Sequence, residues 1–273
     1  MKNKVVMIGI IFLTSCGPSI KLAIPETFKQ QATMQHISGA RGNKMSFANF
    51  TTSKIKRGAH VSSPGWGRRF FLENLLWNQI GIQKTEAVTR ERAKFRYSLT
   101  DGKNRLEVYA AEEEFTKALE YELFNSKSIF NKIGQLQQYA YIFSAIISGD
   151  TTQNSQNWEL LMTNIYDRKA ENDKNLLANI RQEDDGLVTN GTDTIFIKSL
   201  TIKQTELNNG KTGQLPFKVL SGYELSTNDG VIAVIDMIDR NIWFYNELDD
   251  REKLNIGAIA TAIFARTIHD VKW

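Results

Sequence analysis

The feature that most limits how this chain can fold is Ile256 to Ala265, where apolar and small residues cover every side of a predicted helix. Just upstream, Asp249 and Asp250 are suited to cap the positive end of a helix that runs from about Asp250 to Ile268. A helix with no polar face must be enclosed by other structure, and it is too short to be read as a membrane span. The sequence therefore predicts a helix buried inside the protein.

The residues before this helix predict a three-strand meander. Its strands are expected at Tyr223 to Ser226, Val231 to Met237 and Ile242 to Tyr245, with turn-forming residues between them. Val231 to Ile235 is apolar without a break, which is typical of a strand covered on both faces. One strand of the meander is therefore expected to have no solvent-exposed face.

The rest of the chain is also rich in strand signals. Asp101-Gly102 lies between Arg92 to Leu99 and Arg105 to Ala110, and this pairing predicts a hairpin because both turn residues tolerate positive φ. A pair of strands is expected within Met45 to Val61, and the turn-forming residues Ser63 to Gly67 are expected to end it. Further strands are expected at Gln138 to Ile147 and at Trp158 to Ile165. Leu187 to Ile202 is expected to form strands around a turn at Thr189 to Thr192. Glu112 to Phe124 fits a helix or a strand.

Together these elements predict a β-rich α+β fold, an antiparallel sheet or barrel packed around a hydrophobic C-terminal helix. Residues 44–273 are expected to form a single domain of this kind. In architecture only, the arrangement resembles the tubby-like and scramblase-like fold, a β-barrel closed around a hydrophobic C-terminal helix. No sequence motif of that fold is matched residue by residue.

Charge and composition exclude some classes of function. The chain has 34 Lys and Arg against 30 Asp and Glu, which leaves no concentrated basic character for a dedicated nucleic-acid protein. Apolar residues make up 41% and charged residues 23%, as in an ordinary globular domain rather than a disordered chain. We therefore expect a folded domain and no nucleic-acid partner.

The N-terminus has the three parts of a secretion signal. Lys2 and Lys4 precede the apolar run Val5 to Leu13, and Leu13-Thr14-Ser15-Cys16 ends at the only cysteine in the chain. The apolar run is shorter than the roughly 20 residues of a membrane-spanning helix. It is therefore interpreted as a signal over residues 1–15. An ordinary signal with a chance cysteine, or a core cysteine at the end of a strand, stays open as an alternative.

Leu13 to Cys16 resembles the lipobox of bacterial lipoproteins. The resemblance implies that Cys16 receives a diacylglyceryl group, that the signal is cut before it, and that the new amino terminus is acylated. In Gram-negative lipoproteins an aspartate after the cysteine favours inner-membrane retention, so Gly17 implies the outer membrane, facing the periplasm. With Cys16 lipidated, no thiol is left for a disulfide.

Residues 16–43 are interpreted as a tether that lets the domain stand off the lipid surface, because Gly, Pro and polar residues interrupt any apolar period. The apolar residues Ile20, Leu22, Ile24 and Phe28 within it are expected to be able to dock on the domain. The membrane, through the N-terminal lipid, is the predicted partner, together with an envelope protein or anionic lipid.

No catalytic or metal-binding motif is present. The histidines His36, His60 and His269 form no i, i+4 pair, and no serine lies in a G-x-S-x-G elbow, so we expect no metal and no cofactor. Four groups of carboxylates are candidates for a general acid and base or for a calcium site, although charge runs are more often solvated faces. These groups are Glu112-Glu113-Glu114, Glu183-Asp184-Asp185, Asp236 with Asp239, and Asp249-Asp250.

One basic cluster is a candidate site for an anionic ligand. It consists of Lys54, Lys56, Arg57, Arg68 and Arg69 around Trp66. Guanidinium groups fork onto phosphate oxygens, and tryptophan favours interfaces, so the cluster suits lipopolysaccharide or anionic lipid. A basic strand pair that simply faces water is the favoured alternative.

The sequence thus predicts a membrane-anchored cell-envelope lipoprotein with a non-enzymatic binding or assembly role. The alternative is a periplasmic hydrolase that acts on glycan or peptide through paired carboxylates. A deep cleft on which two carboxylates converge would favour the hydrolase, whereas a filled centre would favour binding.

Overall fold

The computed structural model describes residues 22, 24–40, 42–69, 82–123, 132–149, 157–171, 184–206 and 212–268. Most of them belong to one antiparallel sheet, and the rest include two helices. The elements are α1 (Glu26–Lys29), β1 (Ala32–His36), β2 (Ser46–Phe47), β3 (Phe50–Thr52), β4 (Lys56–Arg57), β5 (Val61–Arg69), β6 (Ile82–Thr100), β7 (Arg105–Leu123), β8 (Lys132–Gly149), β9 (Trp158–Asp167), β10 (Asp185–Thr189), β11 (Thr194–Glu206), β12 (Thr212–Thr227), β13 (Gly230–Asp236), β14 (Asn241–Tyr245) and α2 (Asp250–Phe264).

The sheet curls into a nearly closed barrel. Strands β6 to β14 pair in chain order as a long meander, β1 joins at β14, and β3 and β2 join at β6. The two ends of this sheet meet where Ser38, just after β1, exchanges backbone hydrogen bonds of 2.9 and 3.1 Å with Ser46 of β2. The predicted fold, an antiparallel barrel with a hydrophobic C-terminal helix packed against it, is confirmed.

Helix α2 begins with a full capping box. Asp249 accepts a hydrogen bond from the backbone N–H of Glu252 at 2.7 Å, and the Glu252 carboxylate accepts the Asp249 N–H at 2.8 Å. The segment from Ile256 to Ile263 is entirely buried, as its composition predicted. The helix lies closest to β6, β7 and β8. Among the helices that the structure describes, none is long and apolar enough to cross a bilayer.

The helix ends at Phe264, four residues before the expected end at Ile268. Two arginines satisfy its last carbonyl groups: Arg57 donates to Ala265 O at 2.6 Å, and the Arg266 Nε donates to Ile263 O at 3.2 Å. Such contacts replace the missing intrahelical bonds and suit the negative end of the helix. The chain therefore turns at Arg266 instead of continuing as helix.

The predicted hairpin around Asp101-Gly102 is present as β6 and β7, which are longer than expected. The stretch from Met45 to Val61 contains shorter strands than expected: β2 pairs with β3, and β3 and β4 pair with β6. The open question over Glu112 to Phe124 is answered as far as Leu123: this stretch belongs to β7, which pairs with β6 on one side and β8 on the other. Ser63 to Gly67 does not end a strand, which corrects the sequence-based expectation. β5 continues through Pro64 to Arg69, because a strand that pairs along one side tolerates the missing N–H of proline.

The N-terminal segment packs on the outside of the barrel. Ile24 and Phe28 are buried together with Val234, and Leu22 packs against the same cluster. This contact explains the unbroken apolar run of β13, because Ala233 and Ile235 face the core while Val234 is covered from outside. The folded domain therefore extends into the stretch interpreted as a tether. Its expected docking residues Leu22, Ile24 and Phe28 do contact the domain, and Ile20 lies outside the described residues.

Candidate functional site

A buried ionic network lies where the chain leaves α2. Arg266 is 4% exposed, and its two terminal nitrogens donate to Asp184 Oδ2 at 2.9 Å and to the Tyr223 hydroxyl at 2.6 Å. Tyr223 donates in turn to Asp184 Oδ2 at 3.0 Å, and Asn164 donates to Asp184 Oδ1 at 3.3 Å. The Arg266 guanidinium also lies 5.6 Å from the centre of the Phe143 ring. A full positive charge is thus held inside the protein by an equally buried carboxylate.

A second buried carboxylate holds the chain just after Arg266. Glu112 of β7 accepts the backbone N–H of Thr267 at 2.8 Å and that of Ile268 at 3.1 Å. Its carboxylate also accepts the hydroxyls of Thr267 at 3.1 Å and Tyr141 at 3.2 Å. These four bonds fix the segment after the helix to the barrel wall, so Glu112 has a structural role.

The surroundings of this network shift several pKa values. Burial raises the pKa of Tyr141, Tyr223 and Tyr139 above the ordinary tyrosine value. Burial alone would lower the pKa of Arg266, but the neighbouring tyrosines and Asp184 outweigh it, and the pKa is raised well above its ordinary value. The arginine therefore stays charged and the hydroxyls stay protonated as donors at neutral pH.

Most of the carboxylate candidates that the structure describes have structural roles, while Asp239 and Asp250 are exposed. Glu112 is 2% exposed and Asp184 is 0% exposed, so neither is the solvated charge that a charge run usually supplies. Asp236 accepts the N–H groups of Ile238 and Asp239 in a turn, and its burial raises its pKa. Glu113 forms an ion pair with Arg92, and Glu114 accepts a hydrogen bond from Tyr139. Asp185 accepts the backbone N–H of Ser199, and Asp249 caps helix α2. Glu183 lies outside the described residues.

Sequence reasoning missed Arg266, Tyr141 and Tyr223. One signal was available for Arg266, because a charge directly after a helix with no polar face has to be paired if the helix is buried. Its partner could not be identified, since Asp184 lies 82 residues away along the chain. Nothing in the sequence singled out the two tyrosines, because both lie in segments that were predicted simply as strands.

Of the predicted basic cluster, the structure describes the side chains of Lys54, Lys56 and Arg57. The Arg57 guanidinium caps α2 and lies 5.7 Å from the centre of the Phe95 ring, so it serves the fold. Lys54 and Lys56 are exposed. Trp66, Arg68 and Arg69 belong to β5, but their side chains lie outside what the structure describes. Cys16 and His269 are likewise outside the described residues.

A different basic group forms a row along the outside of β6. Arg90, Arg92, Lys94 and Arg96 alternate with inward-facing residues, and all four side chains are exposed. Lys56 of β4 pairs with Arg96 and extends the row at one end. We call Arg90, Arg92, Lys94 and Arg96 the β6 basic row.

An exposed apolar surface lies directly beside the β6 basic row. We call it the outer apolar face, and it crosses strands β7 to β11. Its members are Tyr109, Ile142, Ile146, Leu161, Ile165, Leu187 and Phe196, which are 40% to 70% exposed. Monomeric soluble proteins seldom expose large contiguous apolar areas, and such areas mark interaction sites.

Strand register joins the two surfaces. From Lys94, one line of paired residues runs across the sheet through Ala111, Ser144, Leu161, Leu187 and Phe196. From Arg90, a second line runs through Phe115 and Ala140 to Ile165, the most exposed of the apolar residues. These two lines begin with a cation and continue mainly over apolar residues, which is the pattern of a surface that meets both charge and hydrocarbon. The line from Arg92 passes through Glu113 to Ile142, and the line from Arg96 passes through Tyr109 and Ile146 to Glu159.

The described histidines do not form a metal site. His36 bonds to Asn241 at 3.0 Å, and His60 bonds to Glu91 at 3.0 Å. Within the described ranges, no group of three or more metal-ligating side chains comes together.

Comparisons of this chain with protein-family models, with curated proteins and with solved structures found no match. The interpretation of its surfaces therefore depends on their own geometry and chemistry.

Proposed function

We propose that this protein is a membrane-anchored cell-envelope lipoprotein with a non-enzymatic binding or assembly role. Lipid on Cys16 anchors it at the outer membrane, facing the periplasm, and the domain contacts the anionic lipid surface. The observation that carries the proposal is the outer apolar face with the β6 basic row at its side.

The chemistry of these two surfaces supports contact with a membrane. Burying apolar side chains in the acyl region gains roughly 25 cal/mol per Å² of surface removed from water. Each basic residue near an anionic bilayer adds about 1 kcal/mol. Tyr109 pairs with Arg96, so an amphipathic ring lies at the boundary between the cations and the apolar strip.

The burial of two carboxylate candidates supports the non-enzymatic part of the proposal. Glu112 and Asp184 are buried, and each accepts several hydrogen bonds from protein donors. A hydrolase needs a carboxylate within hydrogen-bond reach of its substrate. The deep cleft with converging carboxylates that would favour the alternative is not formed around these two side chains.

The anchor is tested by metabolic labelling of cells with palmitate. We expect the wild-type chain to be labelled and Cys16→Ala to lose the label completely, because Cys16 supplies the only sulfur that can carry a thioether-linked lipid. Ser15→Ala is the matched control and should keep the label, since alanine is also small. Equal labelling of wild type and Cys16→Ala would contradict the anchor.

The membrane-facing surface is tested separately in the full chain carrying Cys16→Ala, which has no other cysteine. Ile165→Cys or Asp239→Cys then supplies a single site for an environment-sensitive dye. The fluorescence of the dye at position 165 should increase on vesicles that contain phosphatidylglycerol, whereas that of the dye at position 239 should not. Lys94→Gln with Arg96→Gln should weaken the affinity for these vesicles, measured from the position 165 fluorescence, about 30-fold, because each lost charge removes about 1 kcal/mol of binding free energy.

The control for charge is Lys29→Gln with Lys253→Gln, which removes two positive charges from α1 and α2 instead of β6. We expect this pair to leave the Ile165 response unchanged. Equal brightening at positions 165 and 239, or equal binding to neutral phosphatidylcholine vesicles, would show that this surface does not face the membrane. Self-association that covers position 165 without vesicles would also contradict it.

A further inference from the structure

A groove opens at one end of the barrel, where α2 enters it. Its volume is about 850 Å³. It lies among the β10–β11 turn, the β12–β13 turn and the first turns of α2. Barrels larger than one helix can fill commonly enclose ligand cavities, and this volume is within the range of small-molecule sites.

The groove has an apolar floor and aromatic walls. Ile195, Leu248 and Ile256 are buried beneath it. Trp158 and Tyr245 line its sides and are partly exposed. A ligand with a hydrocarbon or aromatic body would therefore leave water on entering.

The rim is acidic, although the chain as a whole carries a formal charge of +4. The described residues that line the groove include Asp193, Asp229, Glu247 and Glu252, against one guanidinium group, that of Arg251. Glu247 lies close enough to the Tyr245 hydroxyl for its charge and hydrogen bond to raise the pKa of that tyrosine. The local charge is thus opposite to that of the rest of the protein.

The nearby helix end does not reverse this preference. The positive end of a helix attracts anions through its free N–H groups. Here the capping box of Asp249 and Glu252 already satisfies that end with two carboxylates. Charge complementarity therefore favours a cation at the rim.

We propose that this groove binds a small organic cation, an amine on an apolar body. The ammonium group lies between Asp229 and Glu247, and the apolar body lies on Ile195 and Ile256 between the two aromatic side chains. Trp158 and Tyr245 add cation–π attraction where the ammonium passes over their rings. This site is separate from the outer apolar face.

The test uses phenethylamine and 3-phenylpropionate, two probes with similar apolar bodies and opposite charges, titrated calorimetrically against the full chain. We expect phenethylamine to bind and 3-phenylpropionate not to bind. Asp229→Asn with Glu247→Gln should weaken the binding of phenethylamine about tenfold, because exposed ion pairs each contribute modestly to affinity. Asp239→Asn is the matched control, since its turn follows the opposite end of β13.

Equal affinity for the two probes would overturn the proposal, as would no detectable binding of the amine at millimolar concentration. An equal loss of affinity in Asp239→Asn would show that only net charge matters and would also overturn it. Trp158→Phe keeps an apolar wall but weakens the cation–π contact, so a modest loss is expected there. None of these results depends on palmitate labelling or on vesicles, so this proposal and the membrane role fail independently.

Discussion

Replacing Arg266 with methionine is expected to lower the free energy of unfolding by about 3–5 kcal/mol, the usual cost of breaking a buried ion pair from one side. The variant leaves the Asp184 carboxylate 0% exposed without its cation. It also removes the donor to Tyr223 and the guanidinium that bonds the last turn of α2. Denaturant unfolding of the full chain measures the loss.

The double variant Arg266→Met with Asp184→Asn distinguishes charge from packing. Because it removes both charges, we expect it to recover a large part of the stability lost in the single variant. Arg96→Met is the matched control on the exposed β6 basic row and should change stability by less than about 0.5 kcal/mol. A double variant no more stable than Arg266→Met would show that the charge pair is not the cause.

Above pH 10, the free energy of unfolding is expected to fall by as much as about 5.5 kcal/mol per pH unit, about 1.4 kcal/mol for each of four buried tyrosines. These are Tyr97, Tyr139, Tyr141 and Tyr223, whose pKa values burial raises above the ordinary value of 10.0. The unfolded chain releases their protons above pH 10 while the folded chain retains them. Their contribution is therefore fully present below pH 10 and is lost as the pH rises toward their folded values.

The measurement follows tyrosinate absorbance and near-ultraviolet circular dichroism from pH 9 to 12. The signal from these buried tyrosines should appear only with unfolding. Ionisation of all eight tyrosines of the chain before unfolding would contradict the expected coupling.

Local signals predicted much of the fold. Gly102, Gly191 and Gly230 adopt positive φ in the predicted turns, because only small residues take that conformation without strain. The predicted cap of α2 forms at Asp249. These features depend on residues close in the chain, so their spacing carries the information.

The candidate surfaces depend on long-range register and were not predictable in the same way. Lys94 and Phe196 lie on one line across the sheet only because five successive strand pairings align them. A shift of one residue in any pairing would send the following side chains to the opposite face. The β6 basic row was found from this register, whereas the basic cluster expected around Trp66 stays a prediction, because the side chains of Trp66, Arg68 and Arg69 lie outside what the structure describes.

By itself, the sequence determined that a helix without a polar face must be enclosed, that β-rich segments must enclose it, and that Leu13 to Cys16 resembles a lipidation signal. The tertiary structure decided which residues hold that helix in place: Asp184 and Glu112, paired with Arg266 and with the backbone of Thr267. The physical reason is that the burial of an apolar helix follows from its own composition. The partner of a buried charge, by contrast, depends on which distant strands the barrel places beside that charge.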